Sequence, residues 1–173
     1  MTDKQKNILK AALILFAEKG YAATSTSKVA KEAGVSEGLI FRHFQNKEGL
    51  LNAIMQLAKA AANREFAGII ENENPKAIIR GIIEMPFKIK QDQFLLWKLI
   101  YALKWQTETY DSSISEPVKQ ALIKAFSKLG YTNPNAEAEA VLILIDGIAM
   151  AVLLRKPANM DEIVSSMLAK YKL

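Results

Sequence analysis

The side chains able to do chemistry gather in one stretch, STSKVAKEAGVSEGLIFRHFQNK, residues 25–47. It holds hydroxyls (Ser25, Thr26, Ser36), a carboxylate (Glu37), two cations at its end (Arg42, Lys47) and the only histidine of the chain, His43. Cysteine is absent, so thiolate chemistry and disulfides are excluded. No metal-ligand cluster and no phosphate-binding glycine loop stands beside the lone histidine. An enzyme is therefore not expected, and neither is a cofactor or a metal. The set offers hydrogen bonds and charge, chemistry suited to phosphates and base edges.

The elements that must position these groups can be read from the spacing. Ser25 is a natural N-cap for a short helix whose inward side is Val29, Ala30 and Ala33. Gly34 makes the following turn, where a positive φ is cheap only for glycine. Ser36 can cap a second short helix ending at Phe44. In that helix Ile40 and Phe44, four apart, face inward and leave Glu37, Leu39, Arg42 and His43 wholly or partly outward. Two short helices joined by a glycine turn form a helix-turn-helix, whose second helix lies in a DNA major groove. An amphipathic helix, Lys4 to Lys19, precedes them with Ile8, Leu9, Ala12, Leu13, Phe16 and Ala17 as its buried stripe, and Gly20 reads as a left-handed C-cap. Asn46 can cap a long helix from about Lys47 to Ile70.

Further along, residues 71–75 break the chain. A helix over 76–91 should kink or split at Pro86, and an aromatic helix runs from Phe94 to about Tyr110. A third starts at Ser112 or Ser115 and ends near Gly130, the most apolar one spans Pro134 to Arg155, and the last covers Asp161 to Tyr171. No alternating strand pattern appears. The expected fold is all-α with about nine helices: a DNA-binding domain over residues 1–46 and a helical ligand-binding and dimerisation domain over 47–173. The 173 residues are half hydrophobic, enough for a substantial core. The N-terminus lacks a signal-peptide pattern, and the apolar run from Ala140 to Leu154 is interrupted by Asp146 and too short to span a bilayer. A soluble, cytoplasmic protein without a membrane partner is expected. Net charge is +5, and Lys and Arg outnumber Asp and Glu by eight to five over residues 1–51, against fifteen to thirteen thereafter. Nucleic acid would favour that bias.

The stretch ILKAALILFAEKGYAATSTSKVAKEAGVSEGLIFRHFQNKEGLL, residues 8–51, resembles the TetR family of bacterial transcription regulators almost position for position. The likeness includes the Phe-Ala-Glu-Lys-Gly-Tyr end of the first helix, the Ala-Gly-Val-Ser turn and the aromatic-x-His-Phe-x-x-Lys-x-x-Leu transition. The resemblance implies phosphate contacts for Ser25 and Lys47, and favours a phosphate or base contact for His43 over a structural role. Thr26 and Ser36, at the starts of the same two helices, join the candidates. Phe41 stands where the family usually has tyrosine, so a phosphate bond from a hydroxyl is lost. Glu37 stands where small or basic residues are common and would repel phosphate unless it accepts from a cytosine amine. Leu39 can offer only apolar contact, and Arg42 can fork onto a guanine or clamp a phosphate.

One short recognition helix buries too little DNA for high specificity, so a homodimer reading two half-sites of a palindromic operator in double-stranded DNA is expected. The resemblance implies that the last two helices form the dimer interface, here Leu142, Ile143, Gly147, Met150, Ala151, Leu154 and Met167. It also implies a ligand pocket among the central helices. Phe94, Trp97, Tyr101 and Trp105 fall at helical spacing, with Met85, Phe87, Tyr110 and Met150 as neighbours and Asp146 in need of a partner. The function expected is a repressor released from its operator by a small apolar or aromatic effector, with the long helix as the mechanical link. Two alternatives stay open: a dimeric DNA-binding regulator without a ligand, and a helical carrier of hydrophobic molecules that has lost DNA affinity.

Overall fold

The computed structural model describes residues 1–106 and 115–173, apart from the side chains of Trp105 and Gln106. Its first helix, α1 (Asp3–Lys19), begins at a capping box. The Thr2 hydroxyl accepts the Gln5 N–H, and the Gln5 side chain accepts the Thr2 N–H. The predicted stripe is buried at Ile8, Leu9, Ala12 and Phe16, with Leu13 and Ala17 half-buried. Gly20 has φ 86° and ψ 146°. Its φ is positive as expected, but its ψ lies outside the left-handed helical well, so the chain leaves α1 extended. That corrects the predicted cap.

Helix α2 (Thr26–Ala33) is capped by Ser25, whose hydroxyl accepts the Lys28 N–H. Gly34 does take the left-handed conformation, φ 65° and ψ 36°, and the N–H groups of Gly34 and Val35 return to the Ala30 carbonyl. Helix α3 (Glu37–Phe44) starts at Ser36, but the Ser36 hydroxyl makes no capping bond, contrary to the sequence reading. Helix α4 (Lys47–Ile70) is capped by Asn46, whose Oδ1 accepts the Gly49 N–H at 2.8 Å.

Asn74 caps α5 (Pro75–Glu84). The helix predicted over 76–91 is split, because Pro86 has no N–H for the helical ladder and its ring crowds the preceding turn. Two 3-10 turns follow, Met85–Lys88 and Gln91–Gln93. The remaining helices are α6 (Phe94–Gln106), α7 (Glu116–Lys128), α8 (Pro134–Arg155) and α9 (Met160–Lys170). The described residues contain no strand, and the fold is all-α. None of the described helices is long and apolar enough to cross a membrane.

These elements make two compact units. One is Met1–Ala61 with the chain from Asp92 through α6; the other is Ala62–Gln91 with residues 115–173. In the first, Ile8, Phe16, Val29, Ile40 and Leu50 are essentially inaccessible, joined by Ile54 and by Leu99 and Leu103 of α6. In the second, Phe66, Ile79, Ile82, Ile83, Leu122, Phe126, Val141 and Leu168 form the core. The division differs from the expected border at residues 46 and 47. The cause is burial: Leu50 and Ile54 on α4, and Leu99 and Leu103 on α6, each gain about 1.5–3 kcal/mol by joining the helix-turn-helix core.

Candidate nucleic-acid interface

Helix α3 is anchored by Ile40, fully buried, and Phe44, half-buried. Opposite them Phe41 is 48% exposed, and Arg42 and His43 are exposed beside it. Arg42 and His43 occupy the last turn and Glu37 the first, the arrangement that the helix dipole favours. Leu39 is half-buried and packs against the first core rather than projecting freely. Glu37 is half-buried as well, and its Oε1 accepts the Thr26 hydroxyl at 2.6 Å. This bond straps the start of α3 to the start of α2 and gives the carboxylate an internal partner.

A shallow depression lies beside α3, lined by Ala22 to Thr26, Phe41, Asn46 and Lys47. The N-terminus of α2 opens onto it through Ser25, an arrangement that attracts anions. Lys47 does more than face solvent. Its Nζ donates to the Tyr21 carbonyl at 3.1 Å and the Ala22 carbonyl at 3.3 Å, and sits 4.5 Å from the Tyr21 ring centroid. An ammonium has three protons, so one remains for a phosphate. Burial, aided by the Glu48 carboxylate, pushes the Tyr21 phenol above its ordinary range. Tyr21 in turn meets Phe16 edge-on at 5.1 Å.

Sequence reasoning missed the junction between α3 and α4. Gln45 has φ 67° and ψ −50°, and the Asn46 N–H bonds to the Phe44 carbonyl at 2.8 Å. This is a γ-turn of the rare positive-φ form, strained for any residue with a Cβ. Gly49 stands just after it, and a Cβ there would lie 1.8 Å from the Phe44 carbonyl oxygen. A glycine inside a helix, where alanine would be worth about 1 kcal/mol more, was the available signal. Gln5 was also missed: its Nε2 lies 3.4 Å from His43 Nδ1.

The residues predicted for a ligand pocket divide between the units. Phe94, Trp97 and Tyr101 are half-buried on α6 in the first, with the Trp97 and Tyr101 rings 6.4 Å apart. Met85, Phe87, Asp146 and Met150 belong to the second. There Met85 packs on the core, Phe87 and Met150 are half-buried, and Asp146 is exposed rather than enclosed, so water can solvate its carboxylate. The side chain of Trp105 and all of Tyr110 lie outside the described residues. Of the predicted interface residues, Ile143 and Leu154 on α8 are 68% and 69% exposed. Gly147 is exposed between them, whereas Leu142, Met150, Ala151 and Met167 are half-buried.

A glycine-turned pair of short helices held against α1 and α4, followed by an all-α body, defines the class of helix-turn-helix proteins. Residues 8–54 match the family described as "Bacterial regulatory proteins, tetR family". That match covers the helix-turn-helix part of the chain, which is thus similar to the DNA-binding module of these regulators. The chain is 47% identical to the uncharacterized HTH-type transcriptional regulator YvkB of Bacillus subtilis strain 168, over 37% of this chain and 33% of that protein. It is 44% identical to YuxN of the same organism, an uncharacterized HTH-type transcriptional regulator, over 84% of this chain and 63% of that protein. The chain thus spans about a third of the first relative's length and under two thirds of the second's. A transcriptional regulator from Saccharomonospora viridis, solved in complex with choline, shares the fold at a TM-score of 0.75 and 20% identity, over 99% of this chain and 96% of that one.

Proposed function

We propose that the protein is a cytoplasmic DNA-binding transcription regulator that reads double-stranded DNA with α3, and that it is not an enzyme. The observation that carries this is the pairing of an inward Ile40–Phe44 anchor, Ile40 buried and Phe44 half-buried, with an outward Phe41–Arg42–His43 face, next to the capped N-terminus of α2. Ser25, Thr26, Ser36 and Lys47 border that face, and phosphates are their natural partners. Leu39 and Glu37 act from within, Leu39 by packing and Glu37 by its bond to Thr26. Two copies pair through the exposed apolar strip of α8, Ile143, Gly147 and Leu154, with Leu142, Met150, Ala151 and Met167 flanking it. The dimer then spans two half-sites of a palindromic operator.

Within this reading the protein represses, and a small apolar or aromatic effector releases it. Support comes from the half-buried aromatic residues Phe94, Trp97 and Tyr101, which retain contact area for a ligand, and from the choline held by the S. viridis regulator. The effector must bind the DNA-free conformation better, since equal affinity for both states shifts nothing. Asp146, Met150, Met85 and Phe87 are the candidates for that role in the second unit.

In vitro selection of bound duplexes from a random pool tests the whole. Enrichment of a palindrome is the expected result. Survival of unenriched sequences, with affinity that tracks only salt, would reject sequence-specific reading.

A further inference from the structure

The only histidine of the chain stands on the face of α3 assigned to DNA, and one of its ring nitrogens already has a partner. Gln5 Nε2 lies 3.4 Å from His43 Nδ1. The Gln5 amide is not free to turn. Its Oε1 accepts the Thr2 backbone N–H at 2.8 Å, and a backbone N–H can only donate. The Thr2 hydroxyl accepts the Gln5 N–H at 3.3 Å and closes the capping box that starts α1. With the amide oxygen held at Thr2, the NH2 group is the end that faces His43, and it too can only donate. Nδ1 must then carry the lone pair, which leaves the ring proton on Nε2.

The geometry points to Gln5 as a positioning residue. It fixes neutral His43 in the Nε2–H form and so presents a hydrogen-bond donor to an acceptor atom of DNA, either a phosphate oxygen or the O6 or N7 of a guanine. The inference rests on the DNA-binding role proposed above. A ring held this way cannot accept from the amino groups of adenine or cytosine, so it discriminates by acceptor chemistry. Neither Thr2 nor Gln5 need touch DNA. The start of α1 sets the tautomer of a side chain 38 residues further on.

With a single histidine, the ring 15N signals of the full chain are unambiguous, and they can be read without DNA. At a pH where the imidazole is neutral, the wild type is expected to show Nδ1 as the bare nitrogen and Nε2 as the protonated one. Gln5→Glu keeps the capping box but turns a carboxylate oxygen toward the ring, so the proton should appear on Nδ1. A protonated Nδ1 in the neutral wild type, or a bare Nδ1 in Gln5→Glu, would overturn the proposal. No duplex is present in that measurement, so its failure is distinct from failure of the DNA-binding reading, which would show as wild type that binds no duplex. A second arm compares wild type with Gln5→Ala on a selected duplex and on random-sequence duplex. Freeing the ring to rotate as well as to change tautomer should weaken binding about two- to five-fold, by the fraction of rings left in the competent orientation. Equal loss on both assigns the acceptor to phosphate, and loss confined to the selected duplex assigns it to guanine. Unchanged affinity on both would sink the positioning role.

Discussion

At the residue scale, two positions carry opposite lessons about the reading face. Gly49 is fixed by space. A Cβ there would meet the Phe44 carbonyl oxygen at 1.8 Å, and that oxygen is backbone at the end of α3, already bonded to the Asn46 N–H. It cannot yield without moving α3. Gly49→Ala, which helix propensity alone would favour, is therefore expected to destabilise the protein by about 2–4 kcal/mol, as urea denaturation would show; a stable variant would mean that the junction relaxes. Glu37 is held by a hydrogen bond rather than by its charge. Its Oε1 accepts the Thr26 hydroxyl, a bond that a glutamine oxygen can also accept, though more weakly than a carboxylate. Under the proposed function, Glu37→Gln keeps the strap and removes a negative charge near DNA, worth roughly 0.5–1 kcal/mol at low salt. DNA affinity should rise about two- to five-fold on any sequence and the gain should fade with added salt. If Glu37 instead reads a cytosine amine, the same variant loses affinity for the selected duplex alone.

At the element scale, what was legible in the sequence is what neighbours along the chain decide. Ser25, Gly34, Asn46 and Pro86 each act on groups one to five residues away, so composition and spacing revealed the start of α2, the turn, the start of α4 and the splitting of the helix at Pro86. The Thr26–Glu37 bond spans 11 residues and the Gln5–His43 contact 38, and no periodicity encodes either. Helix α6 shows the same limit. Its aromatic residues drew attention because they bury the most area, yet the stripe that packs against α1 is leucine, Leu99 and Leu103, with Leu96 beside it. On α8 the sequence showed apolar residues all round without saying which side the protomer uses. Val141, Ile148, Val152 and Leu153 are buried in it, and Ile143 and Leu154 are left outside. If that outer strip pairs two copies, Ile143→Arg with Leu154→Arg places four charges in one interface. Each substituted anchor should cost roughly 2 kcal/mol or more of association. Sedimentation should find monomers with unchanged helical circular dichroism; an intact dimer would move the interface elsewhere.

At the scale of the whole molecule, two separate cores raise the question of whether they fail together. Each contains a phenol that the fold holds in its neutral form. In the first, burial and the Glu48 carboxylate raise the Tyr21 pKa above 10.0. In the second, burial does the same for Tyr171, with Glu137 and Tyr131 adding to it, where the ring lies 5.9 Å from that of Phe126. The direction of the effect follows from proton counting. Below pH 10 both the folded and the unfolded chain keep these protons, so neither phenol alters stability. Above it the unfolded chain releases them first, and stability falls as pH rises until the folded phenols also ionise. Thermal melts between pH 9 and 11 should therefore show a falling midpoint. Tyr21→Phe should blunt the fall in the unit that carries α3, and Tyr171→Phe in the unit that carries α8. Two-state melting throughout, with either variant shifting one common transition, would show that α4, which gives residues to both cores, couples them into a single cooperative fold. Two transitions, each answering to its own tyrosine, would show that the unit carrying α3 can unfold while the other stays intact, and under the proposed function such local unfolding would release DNA without any effector.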